Sequence, residues 1–188
     1  MSNLEIEYKT LLTKDEYQRL LNQMTHVPAV TQTNYYIDTA DFDLKAHRMS
    51  LRIRTLADTA ELTLKVPETV GNREYNLDLA LDQAKDIIKN CQLPDGTIKE
   101  IIENEGIDLT KLNNFGYLTT TRRESQTDIG KMALDYNQYA SIIDYELELE
   151  VDDAEKGQAD FNQFLENNAI NFKYAKSKVA RFSKTLNH

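Results

Sequence analysis

The sequence predicts an α+β fold built on a mainly antiparallel sheet, and three observations support this class. Segments in which apolar and polar residues alternate, the pattern typical of strands, recur along the chain. Segments with apolar residues at helical spacing lie between them. No repeat, low-complexity segment or linker divides the chain, so we expect one domain over residues 1–188.

Eight segments carry the strand pattern. They lie at residues 3–11, 30–38, 48–55, 60–66, 73–79, 115–124, 127–135 and 141–152. Turn residues Val70-Gly71-Asn72 separate the fourth segment from the fifth. Asp128-Ile129-Gly130 lies near the junction of the sixth and seventh segments, where the pattern leaves the exact boundary open.

Five segments are predicted to be helical. Thr13 and Glu16 have the spacing of a capping box and begin a helix that ends near Met24. The other predicted helices cover residues 80–90, 95–105, 155–168 and 176–186. Pro94-Asp95-Gly96 breaks the chain between the second and third of the five.

The composition excludes several classes of protein. The formal net charge is −9, and an acidic surface argues against general binding to nucleic acid or to an anionic membrane. Cys91 is the single cysteine, which excludes an intrachain disulfide and a thiolate metal site. The N-terminal residues lack an apolar signal region and no apolar run is long enough to span a bilayer. We therefore expect a cytoplasmic protein, either a monomer or a homodimer, without nucleic-acid or membrane partners.

Charge is sorted by face along the predicted strands, because neighbouring strand residues point to opposite sides. The charged residues that share one face of their strand are Glu5, Glu7 and Lys9; Arg52 and Arg54; Glu61 and Lys65; Lys131 and Asp135; and Glu146, Glu148 and Glu150. A solvated polar face is the usual meaning of alternation. Three glutamates in register repel one another, however, unless a cation lies between them.

The residue types in this pattern point to a metal–polyphosphate ligand. Carboxylates are hard oxygen ligands that suit Mg²⁺ or Mn²⁺. Arginine binds phosphate with two parallel hydrogen bonds, and lysine binds it as a point charge. A cavity lined by both kinds of side chain could therefore neutralise a short polyphosphate together with a divalent cation.

The N-terminal strand contains Glu5-Ile6-Glu7-Tyr8-Lys9, an E-x-E-x-K motif that resembles the signature of the CYTH superfamily, the triphosphate tunnel metalloenzymes. Further segments resemble that family's motifs, in family order: Tyr35-Tyr36-Ile37-Asp38-Thr39, Leu51-Arg52-Ile53-Arg54, Leu62-Thr63-Leu64-Lys65, Arg122-Arg123, Asp135, the alternation Glu146 to Glu150, and Ser177-Lys178 with Arg181. The resemblance implies a closed barrel of eight antiparallel strands, with helices outside and the charged faces turned inward to a tunnel.

The resemblance also implies a function. We expect a divalent-metal-dependent phosphohydrolase acting on inorganic triphosphate, or on the triphosphate tail of a small organic molecule, with Mg²⁺ or Mn²⁺ as cofactor. A class IV type of adenylate cyclase would use the same tunnel and would need an adenine pocket at one end. A non-catalytic sensor of a triphosphate or nucleotide is the third possibility, although simple anion binding would not require so many carboxylates.

Individual roles follow from the same resemblance and from strand parity. The expected metal ligands are Glu5, Glu7, Asp135, Glu148 and Glu150. The expected catalytic residues are Glu146, Tyr36 and Lys65. The expected substrate-binding residues are Lys9, Arg52, Arg54, Lys65, Arg73, Arg123, Lys178 and Arg181. Only one of the adjacent Arg122 and Arg123 can face inward, and Arg123 is preferred if Glu124 begins the turn.

Overall fold

The protein is described here by a computed structural model that covers residues 2–186. Over these residues eight strands form a closed antiparallel barrel in the order β1-β5-β4-β3-β2-β6-β7-β8. The strands are β1 (Ser2–Leu12), β2 (Val30–Thr39), β3 (Ser50–Thr55), β4 (Ala60–Pro67), β5 (Asn72–Leu79), β6 (Leu112–Thr127), β7 (Gly130–Tyr139) and β8 (Ile142–Val151). The predicted fold class is thereby confirmed, and each predicted strand overlaps one of these eight.

Six α-helices accompany the strands within the same described range. They are α1 (Lys14–Gln23), α2 (Asp43–Ala46), α3 (Leu81–Asn90), α4 (Thr97–Asn104), α5 (Ala154–Asn167) and α6 (Lys178–Lys184). The capping box of α1 is confirmed, since the Thr13 hydroxyl accepts from the Glu16 amide and the Glu16 carboxylate accepts from the Thr13 amide. The structure shows no helix in the described part of the chain that is long and apolar enough to cross a membrane.

Two details of the fold differ from the prediction. Helix α2 was missed because it is one turn long and depends on a side chain: the Asp38 carboxylate accepts from the amides of Leu44 and Lys45. Strand β7 begins at Gly130 and not at residue 127, since Asp128 and Ile129 form the turn between β6 and β7. That turn fixes the pairing of the two strands and therefore which side chains share a face.

The chain divides into two compact units, the first formed by residues 2–4 and 32–117 and the second by residues 5–31 and 118–186. In the first unit the apolar faces of β3 and β4 pack under α3 and α4, with Ile53, Leu62 and Ile102 almost fully buried. In the second unit Leu134, Leu147 and Leu149 pack with Phe161 of α5. In each unit the helices cover the apolar strand faces, so the charged residues lie on the opposite face. That the chain acts as one domain stays a prediction.

Candidate active site

Three carboxylates meet on the charged face of the second unit. Asp135 of β7 lies directly across from Glu146 of β8, and Glu148 follows two residues later on the same face. One oxygen from each of the three lies within 4.8 Å of the others. Asp135 and Glu146 are 0% exposed and Glu148 is 8% exposed. Carboxylates this close and this deeply buried require cations beside them.

Lys178 supplies the central cation. Its ammonium nitrogen lies 2.8 Å from an oxygen of Asp135, 2.6 Å from one of Glu146 and 2.9 Å from one of Glu148. Helix α6 holds the lysine in place, and the hydroxyl of Ser177 caps that helix by accepting from the amide of Ala180. The ammonium therefore occupies a position from which it neutralises all three carboxylates together.

Two arginines complete the cluster. Arg122 of β6 donates to both oxygens of Asp135, at 2.8 and 2.7 Å, and to Glu148 at 2.8 Å. Arg181 stands three residues after Lys178 on α6 and donates to Glu146 at 2.8 Å and to Asp144 at 3.1 Å. Paired guanidinium–carboxylate contacts are strong and directional, so these arginines fix the orientation of the acidic side chains.

The cations keep the cluster ionised despite its burial. Burial by itself disfavours the charged carboxylates, but Lys178 and Arg122 outweigh it and hold the pKa of Glu148 well below its usual range. The same two cations lower the pKa of Asp135 against a similar effect of burial. Burial would lower the pKa of Lys178, yet Asp135, Glu146 and Glu148 raise it. These opposing shifts keep Asp135, Glu148 and Lys178 charged at neutral pH in the folded protein.

These pKa shifts predict a loss of stability in acid. Because the pKa values of Glu148 and Asp135 are lower in the folded protein than in the unfolded chain, the unfolded chain takes up protons first as the pH falls. The free energy of unfolding should decline as the pH drops below about 4.5, the ordinary value for glutamate. Urea unfolding midpoints measured from pH 7 to pH 3 test this. A midpoint that stays constant down to pH 3 would contradict it.

Glu146 differs from its neighbours in how its two oxygens are used. Its Oε1 accepts from Asn137, Arg181 and Lys178, at 3.0, 2.8 and 2.6 Å. Its Oε2 is buried and has no hydrogen-bond partner among the described residues. A buried acceptor without a donor is costly unless a ligand satisfies it. The bare oxygen and the hard carboxylate donors both fit a divalent cation at this cluster.

The remaining acidic residues predicted as metal ligands form a separate patch on the same face. Glu7 lies across from Glu150 in the pairing of β1 with β8. Lys9 contacts Glu7 at 3.0 Å, and Lys131 contacts Glu150 at 3.3 Å. Burial raises the pKa of Glu150, and Glu5 and Glu7 add to this effect against the opposing Lys131. Of the predicted metal ligands, Asp135 and Glu148 therefore lie together with Glu146. Glu5, Glu7 and Glu150 lie together in the second patch, farther along β1 and β8.

Two orientations inferred from strand parity were wrong. Arg122 lies on the charged face, whereas the preferred Arg123 lies on the other face and donates to the backbone carbonyl of Val27. Arg73 lies across from Val66, on the helix-covered side, and pairs with Glu68 at 3.0 Å. In both cases the turn beside the strand sets the register, and the face chosen from the sequence pattern was the opposite one.

The first unit carries the other basic residues predicted to bind substrate. Tyr36, Arg52, Arg54 and Lys65 share its charged face, as the pairings of β2, β3 and β4 require. Arg54 donates to Asn34 at 2.9 Å, and Lys65 lies 3.7 Å from Glu74. Arg52 is different: its Nε is buried without an acceptor, and no ion pair joins it to any residue between 2 and 186. Its guanidinium is therefore available to an anionic ligand.

Taken together, the fold and the site define a class of protein: a closed antiparallel barrel whose strands carry a buried carboxylate cluster suited to a divalent cation and an arginine whose buried Nε has no acceptor among the described residues. The chain belongs to the CYTH domain family, whose model matches residues 3–183. The predicted family is thereby confirmed.

Individual relatives agree with this assignment. A Bacillus subtilis protein named "Putative triphosphatase YjbK" is 34% identical over 181 residues, which is 95% of this chain and 94% of that protein. A crystal structure from Bacillus halodurans, described as a "putative adenylate cyclase", is 32% identical with a TM-score of 0.91, covering 96% of this chain and 98% of that one. A Hippeastrum protein described as a "putative adenylyl cyclase" with a dominant triphosphatase activity is 22% identical with a TM-score of 0.83, covering 97% and 96% of the two chains, and shows the likeness of fold.

Sequence reasoning missed two polar residues of the cluster, Asp144 and Asn137. Asp144 accepts from Arg181 and from the hydroxyl of Tyr139. Asn137 joins Asp144 to Glu146. Period-two parity from Asp135 and Glu146 assigns both residues to the charged face, which was the available signal. Their partners depend on the cross-strand register, which the sequence pattern alone does not provide.

Proposed function

We propose that this protein is a divalent-metal-dependent phosphohydrolase that cleaves a triphosphate, either inorganic or the tail of a small organic molecule. The observation that carries the proposal is the buried carboxylate cluster of the second unit, in which Glu146 keeps one oxygen without a partner. The name of the Bacillus subtilis relative supports the same activity. The expected substrate is a small molecule, and the net charge of −9 favours neither nucleic acid nor an anionic membrane as partner.

In this proposal Asp135, Glu146 and Glu148 hold Mg²⁺ or Mn²⁺, with Glu5, Glu7 and Glu150 as further carboxylates for the same ion or a second one. A bound divalent cation would offset the negative charge that develops on the phosphate oxygens during cleavage. As a carboxylate oxygen without a donor among residues 2–186, Glu146 Oε2 could alternatively accept a proton from an attacking water. Tyr36 and Lys65, on the charged face of the first unit, stay predicted catalytic residues.

The basic residues would bind and orient the phosphate chain. Arg52 has no ion pair with any residue between 2 and 186, whereas Arg54, Lys65 and Lys9 already neutralise neighbouring carboxylates. A cation that turns from its carboxylate to a phosphate leaves that carboxylate uncompensated, which reduces the gain in binding free energy. Arg52 has no such ion pair to break among the described residues, so we expect it to contribute most to affinity.

Replacing Arg52 with methionine tests whether Arg52 contributes most to the affinity for triphosphate. We expect KM for triphosphate to rise by about 10- to 100-fold, since hydrogen bonds to charged groups contribute about 1.5–3 kcal/mol. The melting temperature should stay close to that of the unsubstituted protein, because no ion pair among the described residues is lost. Arg73→Met is the matched control on the helix-covered face and should leave KM unchanged. An unchanged KM in Arg52→Met would remove Arg52 from the binding site.

An adenylate cyclase is the second candidate, because the Bacillus halodurans structure at 32% identity is described as one. The deciding experiment measures phosphate release from inorganic triphosphate, ATP, thiamine triphosphate and pyrophosphate, with Mg²⁺ and with Mn²⁺, together with cyclic AMP. Phosphate release without cyclic AMP supports the hydrolase and identifies both substrate and metal. Cyclic AMP as the main product of ATP would replace it with the cyclase. Binding of triphosphate without turnover of any compound would favour a sensor.

A further inference from the structure

A threonine–asparagine pair on strands β6 and β7 lies next to the carboxylate cluster, with Asn137 in contact with Glu146. Thr120 and Asn137 are directly opposite each other in the register, and both are 0% exposed. The Thr120 hydroxyl donates to the Asn137 side-chain carbonyl oxygen at 2.6 Å. A fully buried polar pair of this kind is retained only if all its hydrogen bonds are made.

The hydroxyl of Thr120 fixes which way the Asn137 amide points. With its carbonyl oxygen held by Thr120, the amide nitrogen of Asn137 donates to Asp144 at 2.9 Å and to Glu146 at 3.0 Å. The reversed amide would place its oxygen against two carboxylates, and repulsion excludes that arrangement. Asn137 is therefore a neutral double donor inserted between two acidic side chains.

The consequence appears at Glu146. The terminal torsion of a glutamate is soft, so the plane of its carboxylate would rotate readily. Asn137, Arg181 and Lys178 all donate to one oxygen, Oε1, and this fixes the plane and the direction in which Oε2 points. Arg181 and Lys178 both belong to α6, whereas Asn137 donates from the barrel strand β7 itself. Asn137 thus holds Glu146 independently of the helix.

We infer that Asn137, held by Thr120, is a positioning residue that keeps Glu146 Oε2 free for a divalent cation and for the reaction. This inference rests on the proposed function, because it assigns Oε2 to that cation. Residues that orient the ligands of a metal typically change its affinity or the enzyme's activity by about 10- to 100-fold when they are removed. Asn137 acts through Glu146 and does not itself contact the substrate.

The test measures Mn²⁺ affinity without substrate, and kcat and KM separately. Asn137→Leu keeps the shape of the side chain and removes its donors, and it should weaken Mn²⁺ binding by about 10-fold or more. Thr120→Val should weaken it by about 2- to 12-fold, the effect of one neutral hydrogen bond. Thr120→Ser, which keeps the hydroxyl, should restore affinity. In both weakened variants kcat should fall at saturating triphosphate while KM changes little.

The chain contains a matched control pair. Thr63 and Asn76 are also directly opposite each other, and the Thr63 hydroxyl donates to the Asn76 carbonyl oxygen at 2.7 Å. The Asn76 amide nitrogen donates to Asn3 and not to a carboxylate. Asn76→Leu and Thr63→Val therefore remove the same chemistry without touching a glutamate, and Mn²⁺ affinity should be unchanged in both.

The outcomes are distinct. Weakened Mn²⁺ binding in Asn137→Leu and Thr120→Val, with recovery in Thr120→Ser, supports the inference. Equal affinity in the unsubstituted protein and in Thr120→Val and Asn137→Leu overturns it, and so does an equal loss in the control pair. If Asn137→Leu does not fold, the comparison of Thr120→Val with Thr120→Ser decides alone. Absence of triphosphate cleavage by the unsubstituted protein would refute the proposed function, and the Mn²⁺ titration would still decide this inference.

Discussion

Glu146→Gln is expected to reduce triphosphate turnover by about 100-fold or more while leaving the fold intact. Three donors converge on Oε1, so the carbonyl oxygen of glutamine will take that position and keep its hydrogen bonds. The glutamine NH₂ group must then replace the bare Oε2. An amide nitrogen there neither binds a divalent cation nor accepts a proton. The change is confined to the oxygen of Glu146 that has no hydrogen-bond partner among residues 2–186.

Glu150→Gln is the matched control on the same face of the same strand. Glu150 is more exposed than Glu146 and pairs with Lys131 at 3.3 Å, so its loss removes one partly exposed ion pair. Because Glu150 would be only a further carboxylate for the ion, we expect turnover in Glu150→Gln to fall, but by less than in Glu146→Gln. Steady-state kinetics and melting temperatures for both variants check the prediction. A larger loss in Glu150→Gln than in Glu146→Gln would move the reaction centre to the patch of Glu5, Glu7 and Glu150.

The strands and their charged faces could be predicted because alternation is a local property. Each strand has its own apolar face, which helices cover in each unit, and reading Glu146 and Glu148 along β8 needs no knowledge of the neighbouring strand. Helix α2 could not be read in this way. It depends on hydrogen bonds from backbone amides to the Asp38 carboxylate, and a four-residue helix has no periodic pattern.

The partners of each charged residue could not be predicted, because they depend on cross-strand register. Had Asp128 and Ile129 been identified as the turn, Thr127 would pair with Gly130, and counting five residues back would pair Arg122 with Asp135. The same counting from the turn before β5 places Glu74, and not Arg73, opposite Lys65. The position of Lys178 is still harder to predict from the sequence, because it depends on how helix α6 packs and not on any strand pattern.

Lys178→Met is expected to cause the largest loss of stability of any substitution considered. Its ammonium contacts Asp135, Glu146 and Glu148, and removing it takes away the one cation that contacts all three of these buried carboxylates among residues 2–186. Breaking a buried ion pair by deleting one partner typically costs about 3–5 kcal/mol. Lys156→Met is the control: its ion pair with Asp160 is exposed on α5, and the loss should be below about 1 kcal/mol. Urea unfolding in the presence of a chelator measures both.

Divalent cations should reverse the loss in Lys178→Met, because an ion at Glu146 Oε2 would share the carboxylates of Asp135 and Glu148 with the ammonium and would replace its charge. One oxygen from each of the three carboxylates lies within 4.8 Å of the others. Binding of an ion to the folded state alone raises stability by about 2.7 kcal/mol at 100 times its Kd. We therefore expect millimolar Mg²⁺ or Mn²⁺ to raise the urea midpoint of Lys178→Met more than that of the unsubstituted protein, in which lysine competes for the same three carboxylates. An equal increase in the two proteins would show that the metal binds elsewhere, and no increase in either would separate this cluster from metal binding altogether.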